Sequence, residues 1–291
     1  MNESYFRLLS RKLSMIKIDV FGEPLMTSSS PSRFHQLHLQ SEPLRLPNAW
    51  DAGSARQIES LGAQAIATTS AGVAWSLGYR DGNQLPVEEY VARARSIARV
   101  INVPLSADIE GGYHDNPRAV ADSVVRLIDA GVVGINIEDG SADPQQLCRK
   151  VEAIRAASIR ADVPLYINVR TDVYARNLVP QQEKVSEVMT RAQAYAQAGA
   201  DGLFVLGLVD AGEMLSIAQS SDLLLNVIVW SGLPPLATLA AYGVRRISVG
   251  SWLPQTLWAS NEQLVRGFLS QDETAPLMAA AAPYAEINTL F

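Results

Sequence analysis

The stretch "DAGVVGINIED", Asp129 to Asp139, holds the end of one element and the whole of the next. An amphipathic pattern at helical spacing runs up to Ala130, Gly131 interrupts it, and an apolar run rich in β-branched residues follows. Glycine just past a helix reaches the left-handed conformation that closes the last turn without a Cβ penalty. The stretch therefore reads as helix, stop, buried strand. The same grammar recurs in "SLGAQAIATTS" (60–70), "QAGADGLFVLG" (197–207) and "AYGVRRISVG" (241–250), punctuated by Gly62, Gly199 and Gly243. Strands of a second type alternate with these: "NVPLSADIE" and "DVPLYINVRTD", with Pro104 and Pro164 at the strand entrance where a missing N–H does little harm, and "DLLLNVIVW".

Adding "LRLPNAW" at the start gives eight strands, near 44–49, 64–70, 104–109, 134–138, 164–170, 202–206, 223–229 and 245–249. Amphipathic helical segments such as "PVEEYVARARSIARV" and "PRAVADSVVRLIDAG" separate them. Near-continuous apolar strands are those of a parallel sheet buried on both faces, and eight β/α units in about two hundred residues fit an α/β fold of the closed (β/α)₈ TIM-barrel type. An open doubly wound sheet is the alternative, but "NAWDAGSA" after the first strand lacks the glycine-rich phosphate loop expected there. The expected organisation is an N-terminal extension over 1–40, partly flexible, a barrel over 41–252 and a C-terminal helical arm over 253–291.

Composition narrows the function classes. The chain has 291 residues, 48% of them apolar, enough for one large domain. Its net charge is −6 and no Lys/Arg block interleaves with aromatics, which argues against a nucleic-acid partner. The only cysteine, Cys148, rules out an internal disulfide and suits a reducing, cytoplasmic compartment. No run of eighteen apolar residues suggests a membrane span. The segment Met1 to Leu25 lacks a clean apolar h-region, so no signal peptide is expected, and Met26 is an alternative start.

Catalytic groups of such barrels gather at the carboxyl ends of the strands. Here those ends are polar: Thr69 and Ser70 before Ala71 and Gly72; Asp108 and Glu110; Asn136, Glu138 and Asp139; Asn168, Arg170 and Asp172; then Asn226, with Trp230 beyond. Residues two apart share a strand face, so Asp108 with Glu110, and Asn168 with Arg170, are candidates to point at one site. A buried carboxylate costs several kcal/mol unless a cation or hydrogen-bond donors compensate it. Carboxylates without histidine or cysteine suit a hard cation, Mg²⁺ above all, with Mn²⁺ as the alternative. The bland readings are that Glu110 or Asp139 caps a helix, that Arg170 pairs with Glu138 or Asp108, and that Ser70 and Gly72 only make a tight turn. His114 reads as an exposed or capping residue and Cys148 as a packed hydrophobe.

"TTSAGVAWSLGYRDGN", "ADIEGGYHDNP", "GINIEDG" and "INVRTD", in that order on successive strands, resemble the isocitrate lyase and phosphoenolpyruvate mutase superfamily. The resemblance implies a (β/α)₈ barrel whose last helix is exchanged with a neighbouring subunit, hence a homo-oligomer, dimer or tetramer. It implies Mg²⁺ held by acids at the ends of the third and fourth strands, with a small anionic 2-oxo acid against the metal. Carried over by position, Asp108 and Glu110 form the metal pair and Glu138 supports the metal's waters. Thr69, Ser70 and the Ala71 and Gly72 backbone, with Asn226, hold the substrate carboxylate; Arg170 binds its anionic end; Asp81, in "YRDGN", belongs to a mobile loop near the reacting centre.

The departures from the family are as informative. The Lys-Arg/Lys-Cys-Gly-His loop of the isocitrate and methylisocitrate lyases is missing after "IED", and Cys148 lies at the wrong place in the pattern to replace its cysteine. The lysine and asparagine of the mutases' gate are absent too, and Leu206 stands where members show histidine or glutamate on the sixth strand. Two functions fit: a Mg²⁺-dependent enzyme breaking a C–C bond or decarboxylating a 2-oxo or 2-hydroxy acid, or a non-catalytic protein binding oxaloacetate or 2-oxoglutarate. P–C chemistry of the mutase type is a further alternative.

Overall fold

Every expected strand forms, and the first forms in two pieces. The computed structural model describes residues 29–270 and 274–291, so the reading of Met1 to Leu25 and the alternative start at Met26 lie outside the described residues. β1 (Leu44–Leu46) and β2 (Asn48–Ala49) are halves of the expected strand 44–49, broken at Pro47. Proline has no N–H to give a ladder, although the Pro47 carbonyl still accepts from Ala67 N at 3.1 Å. The others are β3 (Ile66–Thr68), β4 (Leu105–Asp108), β5 (Gly134–Glu138), β6 (Tyr166–Thr171), β7 (Gly202–Val205), β8 (Leu224–Ile228) and β9 (Val244–Ser248). All pairings are parallel, in the order β1-β9-β8-β7-β6-β5-β4-β3-β2. The two sheet edges, β1 and β2, are one residue apart in the chain, so the sheet curls into a nearly closed α/β barrel of the TIM type.

Helices separate most of the strands: α1 (Pro31–Leu37), α2 (Ala52–Ser60), α3 (Ser70–Ser76), α4 (Val87–Ala98), α5 (Pro117–Asp129), α6 (Pro144–Arg160), α7 (Lys184–Ala198) and α8 (Ala211–Ser220). A 3₁₀ stretch, Leu236–Tyr242, precedes β9, and α9 (Trp252–Ser270), α10 (Ala275–Ala280) and α11 (Tyr284–Asn288) follow it. Gly62, Gly131, Gly199 and Gly243 have φ between 79° and 103°, as their place at helix ends requires. Gly243 is doubly constrained, because a Cβ there would lie 2.4 Å from that of Ala218.

Period-two alternation sorts the strand residues. Ile135, Ile137, Ile167, Val169, Leu203 and Val205 face outward into the layer shared with the helices. The inward residues fill the barrel in three layers. At the amino-terminal end α1, with Pro31 in its first turn and Ser30 Oγ accepting from Arg33 N at 3.1 Å, buries Phe34 and Leu37 against Leu44, Leu46, Ala65, Ala67, Val133 and Tyr166. The Phe34 ring takes the space of a side chain at Gly134, where a Cβ would sit 2.5 Å from Cε1. Burying these two side chains stabilises the plug by ~1.5–3 kcal/mol each.

The middle layer is polar. Asn168 Nδ2 donates to Asn136 Oδ1 and to Asn226 Oδ1, both at 2.9 Å, and the fully buried Arg246 donates from Nη2 to Asn136 Oδ1 at 3.0 Å. A buried polar group must be hydrogen-bonded to avoid a desolvation cost, and this network holds four strands in one register. The third layer, at the carboxyl ends, carries the acids.

Candidate active site

Parallel pairing sets Asp108 beside Asn136, and Glu138 beside Arg170. Asp108 ends β4: its N–H donates to Thr68 Oγ1 at 2.8 Å, and its carboxyl accepts from Ser70 N at 3.1 Å. Two residues on, Glu110 adopts φ +51°, a costly conformation for a non-glycine residue and one that gathers at functional sites. Gly112 tightens the same turn, donating to Ile109 O at 2.8 Å, and a Cβ on it would lie 2.8 Å from Val120 Cγ1. Glu110 is buried; its Oε2 accepts from Asn83 N, and among the described residues its Oε1 has no hydrogen-bond partner. Asn83 also accepts from Tyr113 N at 3.2 Å, so the loop carrying the exposed Asp81 is fastened over Glu110.

Glu138, the last residue of β5, pairs with Arg170 Nη1 at 2.6 Å. Arg170 sends Nε and Nη2 to Asp172 at 2.7 and 3.0 Å, so among the described residues two of its five N–H donors remain for a ligand. Of the two partners that the bland reading of Arg170 allowed, Glu138 forms the pair, while Asp108 receives its charge through space.

Burial dominates the protonation of this cluster. It raises Asp108 against the opposing pull of Arg170 and the Ser70 hydrogen bonds. Burial pushes Glu110 up to about 7, opposed by the Asn83 N–H and reinforced by Asp81 and Asp108. It pushes Glu138 up to about 8, opposed by Arg170 and reinforced by Asp108, Asp172 and Glu110. Three neighbouring carboxyls, with the Arg170 guanidinium among them and the buried Arg246 acting through space on Asp108, are short of positive charge.

That shortage is the test of a metal. Among the described residues no three His, Cys, Asp or Glu side chains stand grouped as a ready-made cage. Mg²⁺ needs none, since it takes one or two carboxylates and completes its octahedron with water and substrate. The partnerless Glu110 Oε1 beside Asp108 fits that donor set.

The other expected residues fall differently. The tight turn read at Ser70 and Gly72 is the first turn of α3, with Thr69 preceding it. Ser70 N–H is spent on Asp108, whereas the N–H groups of Ala71 and Gly72 have no acceptor within the helix. A Cβ on Gly72 would lie 2.7 Å from Thr69 Cγ2 and 3.1 Å from Pro254 Cγ, so close packing demands glycine there. Asn226 is wholly buried in the middle layer; Oδ1 accepts from Asn168 and Nδ2 donates to the Val227 carbonyl at 2.7 Å. Asp139, adjacent to Glu138, accepts from Arg191 Nη1 at 2.8 Å, Tyr195 Oη at 2.7 Å and Asp172 N at 3.1 Å, as a structural acid would. His114 is exposed and accepts from Asn116 N, and Cys148 packs into the helix layer, where burial pushes its thiol up.

Beside the mouth lies a cleft of 440 Å³, bounded by Gly82 and Asn83, Gly111, Glu138, the turn Gly140–Asp143 and α6. Lys150 and Arg176 line it. Sequence reading passed over Lys150, Arg246 and Asn83. Alternation in "VRRISVG" could have found Arg246, which shares its face with Val244 and Ser248; no pattern marked the other two.

The sequence profile of the family described as Phosphoenolpyruvate phosphomutase matches residues 34–269. The chain belongs to this family. Its wider kin, the isocitrate lyase and phosphoenolpyruvate mutase superfamily, is that expected from the motifs. Within the family's reach, the chain is 36% identical over 259 residues to the uncharacterized protein Rv1998c of Mycobacterium tuberculosis, covering 88% of this chain and 94% of the relative. It is 31% identical over 232 residues to the oxaloacetate decarboxylase of Pseudomonas entomophila, covering 75% and 77%. The crystal structure of phosphonopyruvate hydrolase with oxalate and Mg²⁺ superposes with a TM-score of 0.78 over 91% of this chain and 95% of that one; at 23% identity it shows the shared fold. In this phosphoenolpyruvate phosphomutase family member, only residues 139–143 connect β5 to α6.

Proposed function

We propose that this chain is a Mg²⁺-dependent enzyme that breaks a C–C bond of a small 2-oxo or 2-hydroxy acid, by cleavage or decarboxylation. The observation that carries the reading is the cluster of Asp108, Glu110 and Glu138 at adjoining strand ends, Glu110 buried with a partnerless Oε1 and the other two half-buried, short of positive charge. A set of acids kept in that state is costly without a cation. Asp108 and Glu110 would hold the ion, and Glu138 would orient its waters while fixing Arg170. When bound, Mg²⁺ would polarise the 2-oxo group and offset the charge that develops as the bond breaks.

The chain's own residues do the rest. The Ala71 and Gly72 N–H groups, with Thr69 and the Ser70 hydroxyl beside them, hold the substrate carboxylate as oriented donors. Arg170 offers its two remaining N–H donors to the same anion. Asn226 acts through Asn168, keeping the strands in register beneath the site. Asp81, on the loop fastened by Asn83, exchanges a proton with the product carbon, or water does. The named decarboxylase relative supports this reaction class; the brief passage over 139–143 favours the rival reading of a protein that binds a 2-oxo acid without turnover. We extend the proposal to assembly: exposed Trp258, Phe268 and Leu269 of α9 would be covered by exchange of the C-terminal arm with another copy.

The test is incubation of the purified protein and Mg²⁺ with a panel of 2-oxo and 2-hydroxy di- and tricarboxylates, reading pyruvate, glyoxylate and CO₂. Turnover of one compound that chelation abolishes is the expected result. Metal-dependent binding with no turnover across the panel gives the binding protein, and absence of metal-dependent binding removes both readings.

A further inference from the structure

Arg246 is a buried charge without a counter-charge. It projects inward from β9 with 1% of its surface exposed, and Nη2 donates to Asn136 Oδ1 at 3.0 Å. Among the described residues Nε and Nη1 have no hydrogen-bond partner, and no carboxylate forms an ion pair with the group; Asp108 acts on it through space. Burial pulls the guanidinium down to about 10, so it is still charged at neutral pH. A neutral amide oxygen supplies a dipole where a buried cation needs an anion.

The group stands where the amino-terminal plug meets the asparagine layer, and its charge reaches His38 and Tyr166 on the plug side. The His38 ring stacks on Tyr166 with centroids 4.1 Å apart, and its Nδ1 meets the Phe34 carbonyl at 2.8 Å. A carbonyl only accepts, so Nδ1 carries the hydrogen, and Nε2, which also has no partner, presents a lone pair. Burial and Arg246 hold His38 near 3, so it is neutral. Two more wholly buried atoms, Ser106 Oγ on β4 and Asn168 Oδ1 on β6, have no partner among the described residues. Ser106 Oγ faces the plug, since a Cβ on Gly134 would lie 3.4 Å from it and 2.5 Å from Phe34 Cε1. Unpartnered polar atoms of four residues thus gather at one level of the barrel, around one uncompensated positive charge.

Water alone would supply these atoms with hydrogen bonds and leave the charge as it is. We infer that the barrel interior between α1 and the asparagine layer is a binding site for a small monovalent anion of the halide class, with Arg246 Nε and Nη1 and the Ser106 hydroxyl as its donors. Asn168 Oδ1 and His38 Nε2, being acceptors, are left to water. Nothing larger fits: Phe34 fills the room beside Gly134, and a Cβ on Gly202 would lie 2.5 Å from Asn168 Oδ1 and 2.7 Å from Tyr166 Oη. The site lies one layer below the acids of the mouth and needs neither their metal nor a substrate.

Bromide is the probe. Crystals of the wild-type protein grown in bromide should show an anomalous peak in contact with Arg246 Nε or Nη1. Water alone at that place, or bromide found on the outer surface as an adventitious ion only, overturns the inference. In solution, with EDTA present to remove any metal, thermal melts in chloride or bromide are compared with melts in gluconate at equal ionic strength. A halide-specific rise in Tm is expected, growing with the logarithm of halide concentration once Kd is passed, as for a ligand that binds only the folded state. Ser106→Ala removes one neutral donor and little volume, and should raise the Kd so obtained about fivefold. Arg246→Met should abolish the halide effect, since it removes the charge; should that variant not fold, the anomalous map and Ser106→Ala decide. Equal melts in halide and gluconate, or a halide effect that persists unchanged in either variant, overturn the site.

Discussion

Glu138 and Asp139 are neighbours at the end of one strand, yet they lie in opposite electrostatic worlds. Asp139 meets a guanidinium, a phenol and a backbone N–H, and the adjoining Asp172 takes Arg170 and Arg176. Although burial opposes it, those arginines hold the Asp172 carboxyl below the usual carboxylate range. Glu138 and Asp108 draw on Arg170, which is also spent on Asp172, Glu110 has no arginine paired with it among the described residues, and all three rise. Acids with full compensation are part of the scaffold. Acids left short of it are where we propose that a ligand completes the structure.

The difference can be broken from the scaffold side first. Asp139→Ala strands Arg191 and Tyr195, and breaking a buried pair in this way should cost about 3–5 kcal/mol of unfolding free energy in urea titrations. Asp108→Ala should do the reverse: no loss of stability without metal, but at least about a hundredfold weaker Mg²⁺-dependent oxalate binding, roughly 2.7 kcal/mol. If Asp139→Ala is harmless, or Asp108→Ala unfolds the protein and spares metal binding, the division into two kinds of acid is wrong.

Arg170 belongs to both sets and should show an intermediate effect. Lysine cannot reproduce its planar fork, so Arg170→Lys should weaken 2-oxo acid binding by roughly 1–3 kcal/mol. Equal affinity by calorimetry would assign it wholly to the scaffold.

The acids short of compensation also tie stability to pH. Glu110 and Glu138 have folded values near 7 and 8, above their ordinary 4.5, so the folded state holds more protons and stability falls as pH rises toward 8. The buried His38, held near 3 by burial and by Arg246, works the other way, but only below its ordinary 6.5. From about pH 6.5 to 8 the metal-free protein should therefore lose stability, and saturating Mg²⁺ should flatten that slope. Thermal melts with and without EDTA read both; a metal-independent slope would detach the raised carboxyls from the metal. The smallest effect is expected at Cys148, packed in the helix layer: Cys148→Ser should change any turnover less than about threefold, against two or more decades for loss of a general acid.

Sequence alone determined the order of the barrel. Glycine stops and apolar runs are local, since backbone conformation at Gly131 and the side-chain alternation from Gly134 to Glu138 depend on neighbours within a few residues. Chain order likewise placed Asp108, Glu110, Glu138 and Arg170 at strand ends. What it could not rank was which acid is compensated, because compensation comes from afar: Asp139 is neutralised by Arg191, 52 residues on, and Asp172 by Arg170 and Arg176 folded back upon it. Only the tertiary structure withdrew Asn226 into the barrel, turned the Ser70 segment into a helix start, and buried Lys150 beside an open cleft. The charge balance around a buried group is a sum over everything packed against it, and that sum exists only once the chain has closed.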